Sequence, residues 1–327
     1  MTKTLKKLFD ALIDGNFHSG EQLGKALGLT RSAIWKHIKQ LNDWDLEIES
    51  ITNKGYRIKE VPTLLKKEKI LSFIQAEQQA QLADIEIFDT VPSTNDYLLN
   101  TLPERSKKNY ACFSERQTKG KGRHGRLWVS PFGKNIYLSL LWHFSQDAST
   151  LSGLSLAIAI AIVETLRAYG ITQNLGIKWP NDVLCENQKL AGILIELRGE
   201  ANGACSAVIG VGLNVHMTSS HLTEITQAWT SIQDLSKDPV DRNQLAGSLL
   251  NALVKALTEF QREGLKAFIE KWQTLDLSFN KPVSVITANT SIQGIGRGIN
   301  EDGFFNLETD SGIKHFSSGE ISMRILT

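Results

Sequence analysis

The sequence predicts an α+β protein built from three units: a winged helix-turn-helix, a central mixed-sheet α/β domain and a small C-terminal β-barrel. Helical spacing dominates the first sixty or so residues, short strands then alternate with longer helical patterns, and the last fifty or so alternate at period two. The predicted boundaries are 1–62, 63–276 and 277–327. A chain of 327 residues has room for two domains, or for three when some are small.

Composition excludes several classes of protein. With 36 Lys and Arg against 35 Asp and Glu, any nucleic-acid surface must be a local patch. The cysteines Cys112, Cys185 and Cys205 form no disulfide or zinc pattern. The longest apolar stretch, around Leu154–Val163, is about half the length of a membrane span, and no signal peptide opens the chain. We therefore expect a soluble, cytoplasmic protein with no membrane partner.

Three helices and a hairpin are predicted at the N-terminus. The helices are Thr4–Asp14, Glu21–Leu27 and Arg31–Asn42, and the strands are Leu46–Ile51 and Tyr56–Ile58. Thr30 can cap the third helix, and its Ile34 and Ile38 face inward. Two helices joined by a short Gly-containing turn are typical of a helix-turn-helix, and the basic-tipped hairpin is typical of its wing.

The third helix is a candidate recognition helix, because it has no acidic residue before Asp43. Its N-terminal residues could reach base edges while its cations contact phosphates. The candidate DNA-binding residues are Arg31, Ser32, Trp35, Lys36 and Lys39, with Lys54 at the tip of the wing. Two alternatives stay open: a solvated basic helix in a protein-interaction module, and a packing role for Trp35.

The remaining elements follow from periodicity. Central strands are predicted at Ile85–Phe88, Ala111–Glu115, Ile136–Trp142, Ala191–Leu197 and Ala207–Leu213. Central helices are predicted at Pro92–Asn100, Leu151–Tyr169, Asn243–Glu263 and Leu265–Leu275. Hairpin-like neighbours favour a mixed or antiparallel sheet. The C-terminal strands are Val283–Thr287, Ser291–Asn300, Gly303–Leu307, Ile313–Ser317 and Ile321–Ile325.

The loop Gly120–Arg126 is the most unusual stretch. Five cations and three glycines lie between Arg116 and Arg126, with no acid. Glycines allow close backbone approach to a ligand, and Arg and Lys neutralise phosphate. The loop lacks the ending of a Walker A motif. A solvated basic turn is the alternative interpretation.

Three further segments carry polar or glycine signals. Lys178–Asp182 and Lys189–Gly192 place cations beside a carboxylate, or form a hairpin with exposed lysines. Gly210 and Gly212 interrupt an apolar strand, which indicates either a ligand packed on the backbone or a bulge. Ser93–Asn95 reads as a helix N-cap that could also bind a polar ligand.

Together these motifs, in this order and spacing, resemble those of the biotin–protein ligases, and the N-terminal helix-turn-helix resembles the bifunctional bacterial form that also represses the biotin operon. The resemblance covers essentially the whole chain. It implies a class II aminoacyl-tRNA-synthetase-like catalytic domain and an SH3-like C-terminal domain. It also implies that biotin and ATP form biotinyl-5'-AMP, which biotinylates a lysine of a biotin carboxyl carrier protein and acts as corepressor on operator DNA.

The resemblance also implies roles for individual residues. Catalysis would fall to Arg123, Lys178, Lys189 and Asp182, where Asp182 either holds Mg²⁺ or positions a lysine. Biotin would contact Ser93, Thr94, Asn95, Gln117, Lys121, Gly122, Arg123, Lys189, Gly192, Gly210 and Gly212. The nucleotide would contact Arg123, Arg126, Trp128, Lys178, Asn181, Asn214 and Arg297. The usual loop has arginine where Lys121 stands, so a bidentate fork is replaced by a point charge.

Two other functions remain open from the sequence: a lipoate–protein ligase, and a ligand-responsive repressor without ligase activity. One helix-turn-helix makes few base contacts, so operator binding predicts a homodimer. We expect adenylate binding to promote that homodimer through a sheet edge of the central domain near Ala191–Leu197.

Overall fold

A computed structural model describes residues 2–105, 108–199, 203–217, 225, 227–287, 290–319 and 321–326. The N-terminal domain comprises α1 (Lys3–Leu12), α2 (Gly20–Leu27), α3 (Arg31–Asn42), β1 (Ile48–Ile51) and β2 (Gly55–Ile58). Ser19 and Gln22 form a capping box on α2, and the Thr30 hydroxyl caps α3. β1 and β2 pair as an antiparallel hairpin. Three helices and a hairpin therefore form as predicted.

The central domain is built on a seven-stranded sheet in the order β3-β4-β5-β9-β8-β7-β6. Its strands are β3 (Leu82–Phe88), β4 (Asn109–Ser114), β5 (Ile136–Phe144), β6 (Leu175–Lys178), β7 (Asp182–Cys185), β8 (Gln188–Gly199) and β9 (Cys205–Leu213). β3 and β4 are parallel and the other pairs are antiparallel. The predicted mixed sheet is confirmed.

Helices cover both faces of this sheet. They are α4 (Lys67–Leu71), α5 (Ala76–Ala80), α6 (Thr94–Thr101), α7 (Leu154–Ala168), α8 (Ile232–Leu235), α9 (Arg242–Glu263) and α10 (Ile269–Leu275). α7 and α9 form the main core with one face, and α6 packs on the other. A 3₁₀ turn occupies Gly264–Phe268, where the sequence predicted the start of a helix. The short elements α4, α5, α8, β6 and β7 had no predicted counterpart.

One helical stretch of the described chain is long and apolar enough to cross a membrane. It runs over Ala148–Ala168, and its most apolar 18 residues have a mean hydropathy of 1.7 and are 67% buried inside the protein. The prediction counted only the uninterrupted run Leu154–Val163. Because α7 lies in the core of the central domain, packing accounts for its apolar character.

The C-terminal domain is a five-stranded antiparallel sheet in the order β13-β12-β11-β10-β14. Its strands are β10 (Pro282–Ile286), β11 (Ser291–Ile299), β12 (Phe305–Thr309), β13 (Gly312–Phe316) and β14 (Ser322–Ile325). All five lie close to their predicted positions. Trp179 of the central domain stacks near Phe305, with ring centroids 5.5 Å apart, and donates to the carbonyl of Gly303.

A different contact joins the N-terminal domain to the central domain. Phe132, from the loop before β5, is fully buried in the apolar core of the helix-turn-helix. Its ring lies 5.6 Å from that of Phe9 and 5.2 Å from that of Trp44. The guanidinium of Arg116 lies over Trp44 and donates to the carbonyl of Asp43. The N-terminal domain is thus docked on loops of the central domain.

Candidate ligand site and DNA-binding surface

A cavity of about 700 Å³ opens on the α6 face of the sheet, between the central and C-terminal domains. It gathers residues that lie far apart in the sequence. Those predicted to bind ligand and found in its lining are Ser93, Thr94, Asn95, Gln117, Lys121, Gly122, Arg123, Arg126, Trp128, Lys178, Asn181, Asp182, Lys189, Gly192, Gly210 and Gly212. The four motifs therefore form one site.

The glycines of the cavity floor make room for protein side chains. Gly192 on β8 lies opposite Gly212 on β9. A Cβ on Gly212 would come 2.3 Å from the indole of Trp128, and one on Gly210 would come 2.4 Å from Asn95 Oδ1. Trp128 and Asn95 thus occupy the space above these glycines, where the sequence indicated a ligand packed on the backbone. Glycine is required here because a side chain approaches the strand backbone closely.

A hydrogen-bond network fixes the polar end of the cavity. Ser93 caps α6 by accepting from the Asp96 amide, so the predicted N-cap and the cavity wall are one feature. Thr94 donates to Gln117 Oε1 through both its amide and its hydroxyl. Ser139 on β5, which sequence reasoning missed, contacts Thr94 Oγ1 at 2.7 Å and donates to Asn95 Oδ1 at 2.6 Å.

A second missed residue completes this network. The amide of Asn95 donates to Glu196 Oε2 at 2.8 Å. Glu196 lies on β8, and its neighbours in sequence gave no signal of a polar partner. These contacts hold the Asn95 side chain in one orientation, as a precise polar site requires.

Cations also line the cavity. Lys189 Nζ lies 2.7 Å from Asp182 Oδ1, and each side chain is only 15% exposed. Lys178 faces Asp182 across the β6–β7 hairpin. Burial lowers the pKa of both Lys178 and Arg123, and the negative charge of Asp182 opposes that shift. Asp182 therefore lies among two lysines and an arginine in one cavity, and its charge favours the charged forms of Lys178 and Arg123.

Asp182 is placed to position a lysine, because its carboxylate lies 2.7 Å from Lys189 Nζ. Asp182 is the one carboxylate among the described residues that line the cavity. The described part of the chain has no cluster of three or more His, Cys, Asp or Glu side chains able to hold a metal ion. Mg²⁺ usually takes one or two protein carboxylates and completes its shell with water and substrate phosphates. Asp182 fits a single protein ligand to a phosphate-bound Mg²⁺.

The basic loop folds as a tight hairpin. The Trp128 amide donates to the Gly120 carbonyl, and the Gly122 amide to the Arg126 carbonyl. A Cβ on Gly120 would come 2.4 Å from the Trp128 carbonyl oxygen, so glycine is needed to close the hairpin. Lys121 forms an ion pair of 2.6 Å with Asp96 at the start of α6. We name residues 120–128 the basic hairpin.

The tip of the basic hairpin contacts the C-terminal domain. Arg123 donates to the carbonyl oxygens of Ser318, Gly319 and Ile321. Ser322, Met323 and Arg324 of β14 also line the cavity. Sequence reasoning missed these three residues, because a short strand near the end of the chain carries no sign of its distant neighbours.

Two predicted nucleotide ligands lie outside the described lining of the cavity. The amide of Asn214 donates to the carbonyls of Lys189 and Thr230, so it braces the backbone beside the site. Arg297 forms an ion pair with Glu308 at 2.5 Å on the surface of the C-terminal sheet. The arginine of the C-terminal domain that lines the cavity is Arg324.

The candidate DNA-binding residues share one exposed surface. Arg31, Ser32, Trp35, Lys36 and Lys39 are exposed on α3, and Lys54 is exposed at the tip of the wing. Ile34, Ile38 and Leu41 are buried on the inner side. Trp35 lies outside the apolar core of the domain and is 49% exposed, which favours the DNA contact over the packing alternative.

A helix-turn-helix is joined here to a cavity that has glycines in its floor and cations in its walls. This combination indicates the class of protein ligases that also bind DNA. Comparison with known proteins agrees. The Biotin/lipoate A/B protein ligase family model matches residues 87–214, an HTH domain matches residues 4–57 and the Biotin protein ligase C terminal domain matches residues 278–324. The chain belongs to the family of bifunctional biotin ligase/repressors.

Relatives of known function support that assignment over nearly the whole chain. The chain is 41% identical to the bifunctional ligase/repressor BirA of Escherichia coli (strain K12), over 97% of this chain and 96% of that protein. It is 30% identical to BirA of Bacillus spizizenii, over 99% and 100% respectively. The solved biotin protein ligase from Aquifex aeolicus, in complex with biotin and ATP, is 26% identical with a TM-score of 0.63. The match covers 75% of this chain and 100% of the Aquifex aeolicus chain.

Proposed function

We propose that this protein activates biotin with ATP to biotinyl-5'-AMP, transfers biotin to a lysine of a biotin carboxyl carrier protein, and represses biotin synthesis genes with the adenylate as corepressor. One observation carries the ligase activity: Lys189, Lys178 and Arg123 converge on one cavity that the polar network of Thr94, Asn95 and Gln117 also lines. A ligand with a polar head and an anionic tail fits that lining.

The residues divide the adenylation step between them. Ser93, Thr94, Asn95 and Gln117 bind the ureido end of biotin, where the network limits their movement. Lys189 lies beside the biotin carboxylate and stabilises the charge that develops during attack on the α-phosphate. Arg123 and Lys178 bind phosphates, and Asp182 orients Lys189 and takes a phosphate-bound Mg²⁺.

The basic hairpin retains the adenylate. Its Lys121, Gly122 and Arg126 lie over the cavity, and Trp128 offers an aromatic surface beside Lys189, whose ammonium is 5.4 Å from the ring centroid. Excluding water protects the reactive anhydride until the carrier lysine arrives. Release of the hairpin then exposes the adenylate to its acceptor.

Operator binding requires a second copy of the chain, and the sheet offers an edge for it. We predicted a sheet edge near Ala191–Leu197. The prediction is wrong at Ala191–Gly192, because these residues of β8 pair with β7 on one side and with β9 on the other. β7 ends its pairing at Gly192, whereas β9 continues along β8 to Gly199. We name residues 193–199 the β8 overhang. The end of the overhang around Leu197, which is exposed, is suited to pair with a strand of a second copy after adenylate binding.

The finer structural assignments belong to the same proposal. The central domain is of the class II aminoacyl-tRNA-synthetase type and the C-terminal sheet is SH3-like. The domain boundaries fall at 1–62, 63–276 and 277–327, and the protein acts in the cytoplasm.

Pyrophosphate release tests the ligase activity. Biotin with ATP should release pyrophosphate at a rate at least a hundredfold above that with lipoate. A preference for lipoate would show a lipoate ligase, and no release with either acid would leave a ligand-responsive repressor. Sedimentation and DNA titration with biotin plus ATP should then show dimers and tighter operator binding.

A further inference from the structure

Trp35 is not part of the apolar core of the N-terminal domain. The core of the N-terminal domain already contains Ile34, Ile38 and Leu41 from the same helix, yet Trp35 exposes 49% of its surface. An indole is the largest apolar side chain, and exposing half of it brings no gain in stability. A role outside the fold is therefore indicated.

Lys39 fixes the orientation of this indole. Its ammonium lies 4.2 Å from the centroid of the Trp35 ring, one helical turn along α3. A cation at this distance over an aromatic face is attracted to it and restricts the rotamers of both side chains. The pair presents an ordered apolar surface directly beside a positive charge.

The surroundings of the pair fit DNA. Arg31 and Lys36 are exposed on the same helix and Lys54 is exposed at the tip of the wing, and α3 carries no acid before its C-cap at Asp43. Arg31, on the same flank of α3, lies beside Gly20 and the wing residue Tyr56. Such a cationic surface on a recognition helix complements phosphates on both sides of a major groove.

The major groove offers one apolar group, the C5-methyl of thymine. We propose that Trp35 packs against a thymine methyl in each operator half-site, while Lys39 holds the indole in place and neutralises the adjacent phosphate. This inference rests on the proposed repressor function and names the chemistry by which the helix discriminates bases.

The test replaces thymine by uracil, which removes only the methyl group. Full-length protein with biotin and ATP first selects duplexes from a random pool. Each thymine of the enriched duplex is then replaced by deoxyuridine, one symmetric pair at a time. We expect one pair to lower the affinity of the wild-type protein about fourfold per half-site. Trp35→Ala should bind the unmodified duplex at least tenfold more weakly and be insensitive to that replacement.

Controls separate this contact from folding and from charge. Trp35→Ala should keep the parent rate of adenylation, and Trp35→Phe should keep part of the uracil sensitivity. Phe73→Ala removes another exposed aromatic, 40% exposed in the central domain, and should leave operator affinity unchanged. Lys39→Gln should weaken all duplexes and reduce the salt dependence, as loss of a phosphate contact does.

Each contrary outcome has one meaning. No enriched duplex for wild-type protein would contradict the proposed repressor function itself. Enrichment with equal binding by Trp35→Ala would overturn the inference alone. Weaker binding by Trp35→Ala with unchanged uracil sensitivity would also overturn it, because Trp35 would then act on the backbone or on the position of the helix.

Discussion

The central domain packs on both neighbours through an aromatic side chain and an arginine, but only its contacts with the C-terminal domain lie in the ligand cavity. Toward the N-terminal domain it offers Phe132, an apolar side chain buried in a foreign core. Toward the C-terminal domain it offers Arg123, a cation of the ligand cavity that donates to three carbonyls there. One neighbour is anchored beside the site and the other shares it. The C-terminal domain thus completes the ligand cavity, whereas the N-terminal domain is attached to loops of the central domain.

The largest effect should come from the shared cavity. Lys189→Ala should slow adenylation by roughly 30- to 1000-fold, corresponding to about 2–4 kcal/mol, because it removes the cation that we propose to lie beside the reacting carboxylate. Rapid-quench measurement of pyrophosphate release checks this. Lys36→Ala, on the DNA-binding surface, should retain the parent rate. Adenylate formation by Lys189→Ala within threefold of the parent would refute the assigned role.

The apolar anchor should come next. Phe132→Ala should weaken the docked arrangement by about 3–5 kcal/mol, as other buried Phe-to-Ala replacements do. Limited proteolysis of the linker at residues 59–64 reports the change as faster cleavage. Leu127→Ala, which truncates an apolar side chain of the basic hairpin that is 60% exposed, is the control. Equal cleavage of both variants would show that Phe132 does not anchor the N-terminal domain.

The pH profile tests whether the shared site is electrostatic. Since burial lowers the pKa of Lys178, this lysine should lose its proton at a lower pH than an ordinary lysine. Adenylation should therefore decline on the alkaline side, while the folded state gains stability as pH rises toward the unfolded pKa. Lys178→Arg should move the decline upward. An alkaline limb identical in both proteins would assign the titration to another group.

The smallest effect should come from the ion pair between Lys121 and Asp96. Both side chains are partly exposed, so the pair is worth less than about 1 kcal/mol. Asp96→Asn should speed adenylate dissociation by at most about fivefold, measured with radiolabelled adenylate. Lys121→Gln should match it, and the double variant should add nothing. Additive effects would mean that the two residues act separately.

Local rules predicted the parts of the molecule that depend on neighbours in sequence. The N-cap at Ser93, the inward stripe of α3 and the glycines of β9 follow from spacing, and the structure contains them all. The occupants of the space above those glycines, Asn95 and Trp128, arrive from other elements. Spacing alone therefore suggested a ligand where the protein first places its own side chains.

Long-range contacts explain the remaining differences. Arg324 joins the cavity from a strand nearly 150 residues beyond Lys178, and no periodicity records such a neighbour. Arg297 lay on a more conspicuous Gly-rich strand, yet it pairs with Glu308 on the surface. The five-residue helices α4 and α5 are too short for an amphipathic pattern to stand out.

The β8 overhang has a genetic consequence. A two-fold pairing through this strand lies wholly within the central domain, so a chain lacking residues 1–62 keeps the surface for partnering. Mixed with intact protein, the truncated chain would form dimers that have a single recognition helix. Such dimers would bind a palindromic operator weakly. Such a truncated allele would be dominant for loss of repression while remaining competent to biotinylate, and one copy in a cell would separate the two activities.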